Sequence, residues 1–180
     1  MNLLQRIRDH ARSARLPDGT RIFLRPLRAA DLQHAQEYFG GLSEESKYLR
    51  FMTPTPNLTP ETLALVVDVL HAARAGITVA IVDRDQQEVL IGGARIVPTE
   101  RRGSCEFALS IVDRWQGRGL GTVLLREAVR LARQLGYHRI EGTVLSINTK
   151  MLKVAQRLRF HLHVDPQDPS VTIVSRAIQP

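Results

Sequence analysis

Two groups of residues in this chain carry chemistry by their type and spacing. The first is the run Asp113-Arg114-Trp115-Gln116-Gly117-Arg118-Gly119-Leu120-Gly121, which follows an apolar stretch ending at Val112 and leads into a periodic segment. A strand, a glycine-rich turn and a helix start present several backbone N–H groups and the positive end of a helix dipole to one anion. The turn therefore reads as the seat of the pyrophosphate of a nucleotide-bearing cofactor. A tight turn that needs glycine backbone freedom has the same composition. The second group is Glu106, on the apolar strand that delivers the chain to this turn. A carboxylate beside a bound cofactor is placed to act as a general base, and partial burial favours that role by raising a carboxylate's pKa.

Other nucleotide folds fit less well. A dinucleotide-binding turn has G-x-G-x-x-G early in a doubly wound domain. Here the glycines read G-x-G-x-G, and three antiparallel-looking strands come first. No Gly-Lys-Ser/Thr of a phosphate-binding P-loop is present. His161 and His163 share a strand face without a third ligand, so no metal is expected. Cys105 has no histidine spaced for nucleophilic work and reads as a small buried residue. Ser43-x-x-Ser46-Lys47 reads as helix capping.

The elements that position these residues follow from pattern. Residues 1–15 read as a short basic helix with Leu3, Leu4 and Ile7 on one side, and residues 1–16 as an extension preceding a single domain over 17–180. Arg21–Arg25 alternates as a first strand, ended by Pro26. Helices are expected over Ala29–Phe39, from the Ser43 cap to Arg50 or Phe51, and from Thr59-Pro60 to about Arg74. Strands follow at Ile77–Val82 and Val89–Val97, joined by a polar turn at Asp83–Gln87, with a bulge at Gly92-Gly93. Cys105–Val112 is the strand before the turn. Gly119–Leu135 is an amphipathic helix capped by Gly136. Arg139–Leu145 is a strand, Asn148 starts a helix to about Leu158, and Phe160–Val164 and Val171–Ser175 close the sheet.

Bulk properties narrow the class. With 180 residues, 43% hydrophobic and 24% charged, the chain has the makings of one globular core. The net charge of +7 suits an acidic cofactor. Scattered arginines with few aromatics between them argue against nucleic acid. No apolar run approaches the roughly 18 residues of a membrane span, and the basic N-terminus lacks the apolar core of a secretory signal. A single cysteine fits a reducing, cytoplasmic location.

Gln116, Gly119 and Gly121, in the spacing Arg/Gln-x-x-Gly-x-Gly/Ala at a helix start, resemble the acetyl-CoA motif of the GNAT superfamily of N-acetyltransferases. The strand Ile140–Leu145, Asn148 and Phe160 match a second superfamily motif, with Arg159 standing where the superfamily has glycine. The resemblance spans about residues 19–176. Asp18-Gly19-Thr20, Arg25-Pro26, Leu42–Phe51, Glu106-Phe107-Ala108 and Asn148–Met151 further resemble the acetyltransferase domain of bacterial Pat-type protein lysine acetyltransferases.

The resemblance implies a mixed α/β fold: a mostly antiparallel sheet of about seven strands, splayed between its fourth and fifth, with helices on both faces. It implies acetyl-CoA as co-substrate, no metal, and direct acetyl transfer to a primary amine, a protein lysine first and a small-molecule amine second. A non-catalytic acyl-CoA sensor is the reading from another class, and a homodimer is compatible with each of these readings. Glu106 would deprotonate the amine, whose pKa is otherwise about 10.4. Main-chain groups of Ile111 and Val112 would meet the acetyl and pantetheine groups. Gln116, Gly117, Arg118, Gly119, Leu120, Gly121 and Thr122 would hold the pyrophosphate, and Asn148 the pantetheine amide. Many relatives carry a proton-donating tyrosine seven residues after that asparagine, where this chain has Ala155.

Overall fold

The apolar alternation of residues 87–111 builds the centre of a twisted sheet, and the rest of the chain packs around it. The computed structural model describes residues 12–27, 31–53, 76–84 and 87–179. Strands β1 (Arg12–Arg15) and β2 (Arg21–Pro26) are followed by helices α1 (Leu32–Gly40) and α2 (Glu44–Phe51). Strands β3 (Gly76–Arg84), β4 (Gln87–Pro98) and β5 (Ser104–Ile111) lead to helix α3 (Leu120–Gln134). Strand β6 (Arg139–Leu145), helix α4 (Thr149–Arg157) and strands β7 (His161–Val164) and β8 (Val171–Ala177) complete the order.

Eight strands form one sheet among the described residues, in the order β1-β2-β3-β4-β5-β6-β8-β7. Every pairing is antiparallel except β5 with β6, which α3 joins as a crossover. The mixed fold is as read from the sequence, with one strand more. That strand is β1, where the pattern predicts the end of a helix. Its four residues carry no apolar alternation, and it is held instead by pairing with β2 and by Arg12, which ion-pairs with the buried Glu127 of α3. Leu16, next in line, is buried in the core, so the sheet begins inside the stretch read as an extension. Residues 1–11, and the helix expected from Thr59 to Arg74, lie outside the described residues.

The remaining elements lie where residue chemistry puts them. Ser43 caps α2 by accepting from the Ser46 amide, and Asn148 caps α4 by accepting from the Met151 amide. The bulge falls one residue before the glycine pair: Ala80 faces Gly92 and Ile81 faces Leu90, leaving Ile91 as the extra residue. Gly92 is required nearby because a Cβ there would lie 3.0 Å from Leu124 and 3.2 Å from the Ser110 carbonyl, where α3 presses on the sheet. Leu120, Leu124, Leu125, Ala128, Leu131 and Ala132 form the buried face of α3 against the core.

The sheet opens at one place. Strands β5 and β6 pair only through Ser104–Arg139, Cys105–Ile140 and Glu106–Glu141, whereas β5 stays paired with β4 out to Ile111. The next residue along, Phe107, fills the space that a side chain at Gly142 would occupy, since a Cβ there would lie 2.6 Å from its ring. Phe107 also stacks edge-on to Phe160 at 5.6 Å. Glu106 thus stands where the two strands part.

Candidate active site

The opened edge of β5 and the N-terminus of α3 meet at the glycine-rich turn. Gly117 and Gly119 take positive φ values of 75° and 88°, and Gly119 lies so close to Pro17 that a Cβ would sit 2.9 Å from its ring. This curvature leaves the amide N–H groups of residues 117–121 without an acceptor among the described residues. Five unpaired amides at the start of a 15-residue helix make a cradle for a diphosphate-like anion. Arg118 lies exposed at its side, 4.7 Å over the Trp115 ring and 3.7 Å from the Asp18 carboxylate.

The cradle is braced from α2. Asp113 accepts from the Ser43 amide at 3.0 Å, the Ser43 hydroxyl at 2.6 Å and the Ser46 hydroxyl at 2.9 Å. Burial opposes the charge of Asp113, but these hydrogen bonds outweigh it and hold its pKa below the usual carboxylate range. Gln116 donates its side-chain amide to Ser46 Oγ at 2.9 Å and to the Ile111 carbonyl at 3.2 Å. Ser43 and Ser46 therefore do more than cap a helix, as their spacing suggests. They lock α2 to the connection that carries the turn.

At three of the expected contacts, donors are engaged within the protein. The Gln116 side chain and amide are both used within the protein, the amide by the Asp113 carbonyl, so Gln116 shapes the turn rather than presenting donors. The Thr122 amide donates to the Gly119 carbonyl, which removes it from the cradle. The Val112 amide donates to the Ile91 carbonyl at 3.0 Å, so this N–H is not available, and its carbonyl accepts from Trp115. The alternation of an antiparallel ladder then turns the main chain of Ile111, and of Leu109 two residues earlier, toward the open edge. Leu109 was legible only from that period of two.

Across the gap, Asn148 is half-buried at the start of α4. Its Oδ1 is spent on the Met151 amide, and its side-chain NH2 donates to no group among the described residues. Ala155 is fully buried, and its carbonyl accepts from the Phe160 amide, so that position offers no proton donor. Arg159, in place of the superfamily glycine, takes a left-handed φ of 59° at the end of α4.

On the other face of β5, Glu106, Ala108 and Ser110 point the same way as Arg95 and Val97 of β4. Glu106 is half-buried and has no hydrogen bond or ion pair among the described residues. Tyr38 of α1 is buried over this face and donates to Ser110 Oγ at 2.6 Å; burial raises its pKa. Arg50 of α2 lies near Tyr38, Arg95 and Glu106. Cys105, on the opposite face, is buried, and burial, with Glu141 adding to it, pushes its thiol up to about 12, which leaves it unreactive. His161 and His163 are exposed, and no group of metal-ligating side chains occurs among the described residues.

A family model described as an acetyltransferase (GNAT) domain matches residues 21–161. An acetyltransferase of Pseudomonas aeruginosa is 28% identical over 158 residues, covering 88% of this chain and 84% of that protein. Among solved structures, the GNAT domain of S. lividans PAT has a TM-score of 0.82 at 23% identity, covering 94% of this chain and 97% of that one. A GNAT superfamily phosphinothricin acetyltransferase from Sinorhizobium meliloti, solved in complex with acetyl-CoA, has a TM-score of 0.70 at 21% identity, covering 86% and 87%.

Proposed function

Because the chain belongs to the GNAT acetyltransferase family, we propose that it transfers the acetyl group of acetyl-CoA to a primary amine, a protein lysine first, with Glu106 as general base. The observation that carries this reading is the run of five unpaired amides at residues 117–121, beside the edge where β5 leaves β6. Acetyl-CoA supplies an activated thioester whose carbonyl gains negative charge during acyl transfer. The residues present fit it: the amides 117–121 and Arg118 hold the diphosphate, and the side-chain NH2 of Asn148 and the main chain of Ile111 and Leu109 hold the pantetheine arm.

Each step of the chemistry falls to a residue already described. Glu106 takes the proton of the acceptor ammonium, directly or through one water, and frees the nitrogen lone pair for attack on the acetyl carbon. Backbone N–H groups on the open edge of β5 stabilise the developing oxyanion. As the new C–N bond forms, the C–S bond breaks and the sulfur leaves as thiolate, and the second proton that the nitrogen sheds to become a neutral amide passes to that thiolate through solvent. With Ala155 at the usual donor position, departure is unassisted there, which a parent thiol pKa of about 8.5 allows.

The choice of protein lysine rests on the Pat-type stretches, and two of them, at Asp18 and at Ser43–Ser46, brace the turn. Pro17-Asp18 lies against Gly119 and Arg118, and Ser43 and Ser46 hold Asp113 and Gln116. The test is to incubate the chain with labelled acetyl-CoA and a cell lysate, then split protein from small molecules. Label in the protein fraction at lysine is the result expected; label confined to the small-molecule fraction would overturn the lysine assignment.

A further inference from the structure

We propose that the acceptor amine carries a carboxylate or phosphate close beside it, and that the guanidiniums of Arg50 and Arg95 hold that anion over the Glu106 face. The proposal rests on the reading of that face as the acceptor side. In the β4–β5 ladder Arg95 stands opposite Ala108 and Val97 opposite Glu106, so Arg95 and Glu106 are diagonal neighbours on one face. Arg50, in the last turn of α2, comes down on the same face with its guanidinium 4.9 Å over the Phe51 ring.

Neither arginine has a carboxylate oxygen within 4.0 Å among the described residues. The Nε of Arg95, like that of Arg25, is buried without a hydrogen-bond partner among the described residues. Arg25 shows how this chain treats a guanidinium whose role is structural. It is buried and gripped by Asp31 through two bonds of 2.6 and 2.7 Å, with Glu88 at 2.6 Å. Over β5, two guanidiniums face the carboxylate of Glu106, the one found there among the described residues, and Asp113 is already committed to Ser43 and Ser46. Burial, reinforced by the like charge of Arg95, pulls Arg50 down to about 10 against the opposing pull of Tyr38 and Glu106.

Two like charges side by side in a partly desolvated pocket are costly unless a negative partner joins them. Among the described residues Glu106 is the one carboxylate beside them, so a second negative partner is left for the substrate to bring. A planar carboxylate or a phosphate matches the forked donors of paired guanidiniums. Glu106 lies on the same face, so the anion and the reacting nitrogen belong to one acceptor and are separated by a few bonds.

The experiment measures kcat/KM for matched acceptors. One arm compares lysine peptides with glutamate beside the lysine against the same peptides with glutamine there. The other compares free amino acids with their methyl esters. Wild type is expected to favour the acid-bearing member at least tenfold in one arm, which also tells a peptide acid from a free one. Arg95→Gln and Arg50→Gln should bring that ratio close to one, and Arg95→Lys should keep part of it, with the acetyl-CoA Kd unmoved. Equal use of both members by wild type overturns the proposal. So does a preference that survives both variants, or a shifted pH profile common to all acceptors, which would make the arginines tuners of Glu106 alone. If no acceptor in either arm is acetylated, the acetyl-transfer reading fails separately. Calorimetric titration with glutarate then decides: binding lost in Arg95→Gln supports the anion site, and no binding to wild type overturns it.

Discussion

Replacing Gly119 by alanine strikes the turn in two ways that can be worked from the structure. Gly119 sits at φ 88°, a left-handed conformation that costs an L-residue about 1–2 kcal/mol. The added Cβ would also lie 2.9 Å from Pro17 Cδ and 3.0 Å from Pro17 Cγ, closer than real Cβ contacts come. Pro17 is a rigid ring in the turn before β2, so relief requires moving that turn or the cradle, at a cost of about 1–3 kcal/mol for an overpacked site. The sum is about 2–5 kcal/mol, and a chain of this size loses roughly 2–4 °C in Tm per kcal/mol. Gly121 is the internal control. Its φ is not positive, and a Cβ there would meet Ile111 at 3.5 Å and Val154 at 3.7 Å, which is ordinary contact. Gly121→Ala also gains helix propensity of up to about 1 kcal/mol. Thermal melts of both variants, with acetyl-CoA affinity by calorimetry, make the comparison. Gly119→Ala is expected to lose stability and affinity together while Gly121→Ala keeps its fold. Equal behaviour of the two, or a Gly119→Ala protein as stable as wild type, would refute the steric argument.

Three further outcomes follow from single residues. Arg159→Gly relieves the left-handed cost of about 1–2 kcal/mol and gives back about 0.5–1 in unfolded-state entropy, so denaturant melts should show a gain of up to about 1.5 kcal/mol. Asp113 has a folded pKa below its unfolded one, so its contribution is present above the unfolded pKa and lost as pH falls through the folded pKa. Asp113→Asn is therefore expected to flatten the acid limb of the stability–pH curve below about pH 4, while leaving its alkaline side unchanged; an unchanged acid limb would remove Asp113 as the brace. Cys105, buried with its thiol raised to about 12, should react with a thiol reagent at neutral pH only after denaturant is added; rapid labelling of the native protein would contradict its burial.

What the sequence made legible was whatever depends on local pattern. The α3 stripe, the Ser43 and Asn148 caps and the strand–turn–helix around Gly119 are all written in residues within a few positions of one another. What stayed hidden depends on contacts far apart in the chain. Strand β1 reads as polar and unremarkable because its support comes from Glu127, 115 residues away. The uses of the Gln116 and Val112 amides were not legible either. A motif position shows that a donor exists, while the partners at Ser46 and Ile91 that consume it come from folding. Arg50 and Arg95 gave no signal as separate arginines in a basic chain. The sheet register and the seating of α2 on β5 bring them to one carboxylate.

The most direct test of the account is Glu106→Gln, followed by calorimetry with acetyl-CoA and by turnover with an amine acceptor. The amide cradle at residues 117–121 is remote in function from the base, so the Kd for acetyl-CoA is expected to stay within about twofold of wild type. Turnover is expected to fall about 10²–10⁴-fold, the usual contribution of a positioned general base. Wild type that fails to bind acetyl-CoA, or a Glu106→Gln enzyme that turns over at the wild-type rate, would contradict it.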